Sequence, residues 1–142
     1  MGGLDEIKFF CDAMLGKLGR WLRILGYDTL IANPRVDDTT ILRICRQDSR
    51  ILLTRDRELS RYGLYINSEN LVDQLSELMK KFSLVLKEPR CPLCNSELVK
   101  KEHPLGFEET SFCPLCGKYF WKGSHWKHIL EIFERASESQ NL

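Results

Sequence analysis

Two cysteine pairs constrain this 142-residue chain more than any other feature. Cys91-Pro92-Leu93-Cys94 and Cys113-Pro114-Leu115-Cys116-Gly117 repeat one pattern, with 18 residues between them. Four thiolates presented by two CxxC turns at this spacing suit a tetrahedral ion such as Zn²⁺ in a ribbon. A redox disulfide, the competing reading, needs only one such pair. Four cysteines leave no open position for a substrate, so the zinc expected on Cys91, Cys94, Cys113 and Cys116 is structural. His103 and His125 lie close in sequence and are expected to stay outside the shell. Ion binding would stabilise a module too short to fold on apolar burial alone. Cys11 and Cys45 fall on apolar stretches and read as buried thiols.

Composition changes at Lys87-Glu88-Pro89-Arg90, which reads as a linker between residues 1–88 and a ribbon plus C-terminal helix over residues 89–142. Charge favours neither part: residues 1–88 hold 14 basic and 13 acidic side chains, residues 89–142 hold 7 and 7. A surface for a polyanion must therefore come from local clustering. No apolar run approaches the roughly 20 residues of a membrane span. Asp5, Glu6 and Lys8 interrupt the amino terminus before the apolar core of a signal peptide can build. Six cysteines without such a signal fit a reducing compartment, and a cytoplasmic location is expected. The last few residues are expected to be disordered.

Within residues 1–88, strand-like and helix-like patterns alternate. Ile7-Lys8-Phe9-Phe10-Cys11 is a β-type run closed by Asp12. Leu15, Leu18, Leu22 and Leu25 then recur at helical steps, and Gly26 stands where a left-handed cap would sit. Lys17, Arg20 and Arg23, three apart, form a basic stripe off that apolar face. Thr29–Ala32 is a second strand, and Asn33-Pro34 breaks it. A helix opens at Asp37-Asp38-Thr39-Thr40 and ends near Asp48–Arg50. Ile51–Thr54 is a third strand, Arg57–Tyr62 a short helix, and Leu64–Ile66 a fourth strand. Another helix begins at Glu69-Asn70 and runs to Phe82. Such alternation predicts a parallel sheet covered by helices.

The acids fall at corresponding places in this pattern. Asp12 follows the first strand, Asp37 and Asp38 the second, Asp56 the third and Glu69 the fourth, so all should meet at the carboxyl edge of the sheet, where ligands of open α/β folds bind. Gathered carboxylates repel unless a cation lies among them, and Mg²⁺ or Mn²⁺ is the hard ion they suit. Such an ion can polarise a phosphodiester and generate hydroxide. Lys17, Arg20 and Arg55 lie near these acids and could hold neighbouring phosphates. The plain alternative for each acid is a helix cap.

Asp12-Ala13-Met14-Leu15-Gly16-Lys17-Leu18-Gly19-Arg20-Trp21-Leu22-Arg23 and Ile51-Leu52-Leu53-Thr54-Arg55-Asp56-Arg57-Glu58-Leu59 resemble the Mut-seven carboxy-terminal RNase domain family, a branch of the PIN-domain-like nucleases. The resemblance continues through the CxxC pairs to Tyr119–Trp126, nearly the whole chain. It implies a three-layer α/β/α parallel-sheet nuclease domain with an appended zinc ribbon, an acidic Mg²⁺ or Mn²⁺ site and RNA as substrate. On matching positions Asp12 is the first metal carboxylate, the Asp37-Asp38 pair the second, with Asp38 preferred, and Asp56 the third. Glu69 fits a fourth by place, with Asp73 as the alternative. Gly19 stands where the family has alanine, a difference expected to affect helix packing.

Between Arg90 and His128 there are six Lys and Arg against four Glu, plus three His. Tyr119, Phe120, Trp121 and Trp126 sit among Lys118, Lys122 and Lys127. Basic residues with aromatics can grip single-stranded RNA, but most of these rings are expected to pack the ribbon against the first domain. The leading reading is a metal-dependent ribonuclease with the ribbon as an RNA-gripping or protein-docking module. The alternative is a non-catalytic RNA- or protein-binding adaptor with the same shell. RNA against DNA, endo- against exonucleolytic action and oligomeric state are not readable.

Overall fold

The structure is a computed structural model that describes residues 6–139. Asp5, and residues 140–142 for which disorder is expected, lie outside the described residues. The first strand, β1 (Phe9–Cys11), is buried throughout. It is shorter than the Ile7–Cys11 run expected. A 3-10 turn, Ala13–Leu15, leads into helix α1, Gly16–Ile24. Leu15, Leu18, Leu22 and Leu25, the helical-period residues, are at most 1% exposed. Helix α1 ends in a Schellman cap, with Gly26 N–H donating to Arg23 O, Tyr27 N–H to Leu22 O, and Gly26 at φ 102°.

The remaining elements of this half are β2 (Thr29–Ile31), α2 (Asp38–Asp48), β3 (Ile51–Thr54), a 3-10 turn at Leu59–Tyr62, β4 (Leu64–Tyr65) and α3 (Leu71–Phe82). All four strands are parallel, in the order β2-β1-β3-β4. Alternate side chains feed two cores. Phe9, Cys11 and Leu53 join α1 and α3 on one face, while Phe10 and Leu52 join Ile41 of α2 and Leu59 on the other. The result is the expected α/β/α sandwich. At Gly19, a Cβ would stand 2.5 Å from the Ile31 side chain, so α1 approaches β2 more closely there than alanine would allow without movement.

Beyond the linker, β5 (Val99–Lys100), β6 (Thr110–Cys113) and β7 (Lys118–Trp121) form an antiparallel sheet in that order. Helix α4, Ser124–Ser139, follows. It packs on α3 and places Ile129, Ile132 and Ala136 in the same core as Leu75, Leu78 and Met79. The expected second unit, residues 89–142, thus has two environments: a ribbon, and a helix that returns to the first sandwich.

The ribbon is fastened to the sandwich by polar contacts. Thr29 N–H donates to Asn95 Oδ1 at 2.9 Å, and Asn95 Nδ2 donates to Asp28 Oδ1 at 2.6 Å. Arg50 Nη1 donates to the same Asp28 oxygen at 2.9 Å, and Arg90 lies 3.9 Å from the other. Arg23, 7% exposed, donates to Thr29 O at 2.8 Å and to Pro92 O at 2.9 Å. Arg23, expected with Lys17 and Arg20 to form a basic stripe that contacts nucleic acid, is instead engaged within the protein. Its position on α1 faces β2 and the first cysteine turn, and backbone carbonyls take its donors.

Candidate functional site

From β1 the chain moves outward to β2, then returns to β3 on the other side of β1. Ligands of open α/β sheets bind at such a reversal, outside the carboxyl ends of the strands, here β1 and β3. Asp12, the first residue after β1, lies there. Its N–H donates to Leu53 O at 3.1 Å, extending the ladder and fixing its backbone. The residue is only 6% exposed. Oδ1 accepts from Met14 N–H at 3.0 Å, capping the 3-10 turn. Oδ2 accepts from the Thr54 hydroxyl and from Arg55 N–H, the latter at 3.0 Å. The cap and the candidate ligand are thus one residue. A carboxylate oxygen can accept about two hydrogen bonds, so Oδ2 is filled and Oδ1 keeps one lone pair.

Thr54 is fully buried and was not singled out by sequence reasoning. Its hydroxyl donates to Asp12 and accepts from Asp56 N–H at 2.9 Å, so one side chain ties the two acids' positions together. The signal for it was a polar residue ending an apolar strand. The register pairs Cys11 with Leu53, which sets Thr54 beside Asp12. Asp56 Oδ1 accepts from Glu58 N–H at 2.8 Å, turning the chain after β3.

Asp37 and Asp38 are exposed at the start of α2, at the same edge of the sheet. Asp37 caps the helix, accepting from Thr40 N–H at 2.8 Å, and its hydrogen bonds to Thr40 hold its carboxyl below the usual range. Asp38 is in the first turn of that helix. Glu69 is exposed just before the α3 cap, Asn70, and Asp73 accepts from Asn70 Nδ2 at 2.8 Å. Among the described residues no three carboxylates draw their oxygens together as tightly as the four cysteines described below.

Lys17 and Arg20 are exposed on α1. Lys17 borders an open groove of about 750 Å³ shared by α1, the start of α3 and α4, with Trp21, Asn70, His128 and Arg135 also on its walls. Arg55 turns elsewhere. Its Nη1 donates to the carbonyls of Ile66, Asn67 and Ser68 at 3.0, 3.0 and 2.6 Å. Glu77, absent from the sequence reading, accepts from the N–H groups of Asn67 and Ser68 at 3.0 and 2.7 Å. Together they clamp the loop between β4 and α3 from both sides.

The cysteine turns are near copies. Asn95 N–H donates to Cys91 O and Gly117 N–H to Cys113 O, both at 2.8 Å, and Asn95 and Gly117 both adopt positive φ, 72° and 69°. The four sulfurs all lie within 4.8 Å of one another, with Cys91–Cys116 at 3.8 Å and Cys94–Cys113 at 3.5 Å. None of the four is in a disulfide. Ser96 Oγ, 2.8 Å from Cys94 Sγ, helps hold Cys94 down at about 6. Cys116, beside Cys94, is pushed up to about 12, and burial pushes Cys91 up. Four thiolates this close would repel one another unless a cation lay between them. Burial also raises Cys45 to about 11 and pushes Cys11 up, so neither is a ready nucleophile.

The chain matches the Mut7-C RNAse domain over residues 7–133. It belongs to that family. The match runs from β1 through the cysteines and into α4, so it covers the sandwich, the ribbon and most of the returning helix. Membership makes this a nuclease-like domain, and the expected family is the one found. Comparisons with curated proteins and with solved structures returned no match. No helix among the described residues is long and apolar enough to cross a membrane.

Proposed function

We propose that this chain is a Mg²⁺- or Mn²⁺-dependent ribonuclease acting at the carboxyl edge of β1 and β3. The observation that carries the reading is Asp12: a nearly buried carboxylate at the reversal of the sheet, fixed by three donors, with one Oδ1 lone pair in reserve. Asp12, Asp56 and Asp38 would hold the ion, with Asp37 committed to its cap and Glu69 at the rim. Mg²⁺ keeps several waters and takes only one or two protein carboxylates directly, so it does not need all three acids to meet at one point. When bound, it would supply a Lewis acid and a hydroxide for phosphodiester hydrolysis. Asp12 fixes the site's position, Thr54 sets Asp12 relative to Asp56, and Lys17 and Arg20 hold phosphates flanking the scissile bond.

The four cysteines fit Zn²⁺. A tetrahedral ion with sulfur at about 2.3 Å places sulfurs roughly 3.8 Å apart, beside the 3.8 and 3.5 Å found. Its role would be structural, and a reducing, cytoplasmic setting suits four thiolates. We take residues 1–88 and 89–142 as the two sequence units, with α4 completing the sandwich.

The test is cleavage of single-stranded RNA by the zinc-loaded chain with Mn²⁺, with Mg²⁺ and with neither. Asp12→Asn should lower the metal-dependent rate by ~100-fold or more, the scale of losing a key electrostatic group. Equal rates in both proteins would contradict the reading. A second reading, the non-catalytic RNA-binding adaptor, is favoured by one observation: among the described residues no three carboxylates gather as the four cysteines do. RNA binding without cleavage in either protein would support it.

A further inference from the structure

The ribbon sheet has two unlike faces. Side chains paired directly across strands share a face. Lys100, Ser111 and Phe120 border a cavity of about 220 Å³ together with Ile24 of α1 and Trp126 and Ile129 of α4, so this face is turned to the sandwich, and Trp121 at the end of β7 reaches the same cavity from the strand's edge. The other face carries Phe112 and Tyr119, which pair directly at a ring separation of 4.9 Å. The loop between β5 and β6 folds over the same side. His103 sits 4.6, 5.0 and 4.8 Å from Phe107, Tyr119 and Trp121, and Phe107 stacks on Trp121 at 4.7 Å and 19°. These rings are not sealed: Phe107 is 43% exposed and the other rings are only partly covered.

Charge separates the faces as well. On the inner side and linker, Lys100 pairs with Glu88, Lys122 with Glu109, and Arg90 with Asp28 and Glu97. On the outer face Lys101 holds its ammonium 4.2 Å from the Phe112 centroid and 5.8 Å from that of Tyr119, and it makes no salt bridge among the described residues. Half-open rings beside an uncompensated lysine suit a ligand that offers flat π-faces and backbone phosphates. A protein partner would more often bury the rings and exclude lysine. Glu102 and Glu108, exposed on the same loop, limit the net positive charge, so stacking must supply most of the attraction.

We propose that the outer face of the ribbon, His103, Phe107, Phe112, Tyr119 and Trp121 with Lys101, binds the bases of an unpaired RNA strand. The inference rests on RNA being the substrate. It adds a second RNA contact, away from the carboxylate edge, that would select single-stranded over paired RNA because only unpaired bases expose their faces.

The test reads binding apart from cleavage. The full-length, zinc-loaded chain is titrated, with no Mg²⁺ or Mn²⁺ added, into a fluorescein-labelled oligouridine of about a dozen nucleotides. Phe107→Ala and Tyr119→Ala should each weaken binding about fivefold or more, whereas Tyr119→Phe should not. Lys101→Ala should reduce the slope of log affinity against log salt by ~0.7, one single-strand phosphate contact. A duplex of equal length should not compete. Thermal melting shows that each variant is folded, and Phe107→Ala, on an exposed loop, carries the test if Tyr119→Ala is unstable. Unchanged affinity in folded Phe107→Ala and Lys101→Ala, or equal competition by duplex, would overturn the inference and leave the face to another partner. Binding that depends on these residues without any cleavage would uphold the inference while the nuclease reading fell. Cleavage with unaffected binding would do the reverse.

Discussion

Asp12 does two jobs that a sequence can suggest singly but cannot combine. Read as a cap, it should tolerate asparagine, since Asn caps about as well as Asp. The second oxygen changes that expectation. It accepts from the Thr54 hydroxyl and Arg55 N–H while the first accepts from Met14 N–H. An Asn that keeps the Met14 bond must point its own NH₂ at Arg55 N–H, donor against donor. Asp12→Asn should therefore cost about 1–3 kcal/mol, the scale of a buried donor left unsatisfied, as well as losing activity. Denaturant unfolding checks this, and a change within a few tenths of a kcal/mol would contradict the geometry. Thr54→Val keeps the shape but removes the link to both Asp12 and Asp56. It should also cost about 1–3 kcal/mol and lower metal-dependent cleavage without altering the salt dependence of RNA affinity. The position of Asp12 was legible because a carboxylate ended an apolar run. Thr54 was not, because its partner lies 42 residues away and only the β1/β3 register brings them together.

At the scale of elements, periodicity carried most of the fold. Ile51–Thr54 was read with the observed limits of β3, and Gly26 as the α1 cap took the left-handed conformation expected. Periodicity could not tell which cation leaves the surface. Lys17, Arg20 and Arg23 share a spacing, but only Arg23 meets carbonyls from β2 and the first cysteine turn. Arg23→Met should destabilise the chain by about 1–3 kcal/mol and leave the salt slope of RNA binding unchanged, whereas Lys17→Ala should flatten that slope by ~0.7 with little effect on melting. The same junction has a pH signature. Burial raises the Asp28 carboxyl, but hydrogen bonds from Arg50 and Asn95 and the charges of Arg50 and Arg90 outweigh it, leaving it below the usual range. A depressed folded value contributes stability that is present above the unfolded pKa, about 4, and is lost as pH falls through the folded value. The melting difference between wild type and Asp28→Asn, both zinc-loaded, should therefore shrink as pH drops below about 4. A difference constant with pH would contradict the role given to Asp28.

For the molecule as a whole, ribbon and sandwich are interdependent. The first cysteine turn is bound to β2 through Asn95, and α4 leaves the ribbon to enter the sandwich core. The ribbon's cysteines were plain in the sequence because metal spacing is local. The return of α4 was not, because its apolar face could equally have served the ribbon. Chelation should free the four ribbon thiols to a thiol reagent while Cys11 and Cys45, raised by burial, stay slow. It should also lower the melting temperature of the whole chain rather than release the ribbon alone. The central claim is that the carboxyl edge beside β1 holds the catalytic ion through Asp12, and a crystal of the zinc-loaded chain soaked in Mn²⁺ tests it most directly. The account predicts an anomalous peak within about 2.2 Å of Asp12 Oδ1, also reached directly or through water by Asp56 or Asp38, and absent in Asp12→Asn. Manganese bound elsewhere, or no peak at this edge at saturating Mn²⁺, would contradict it.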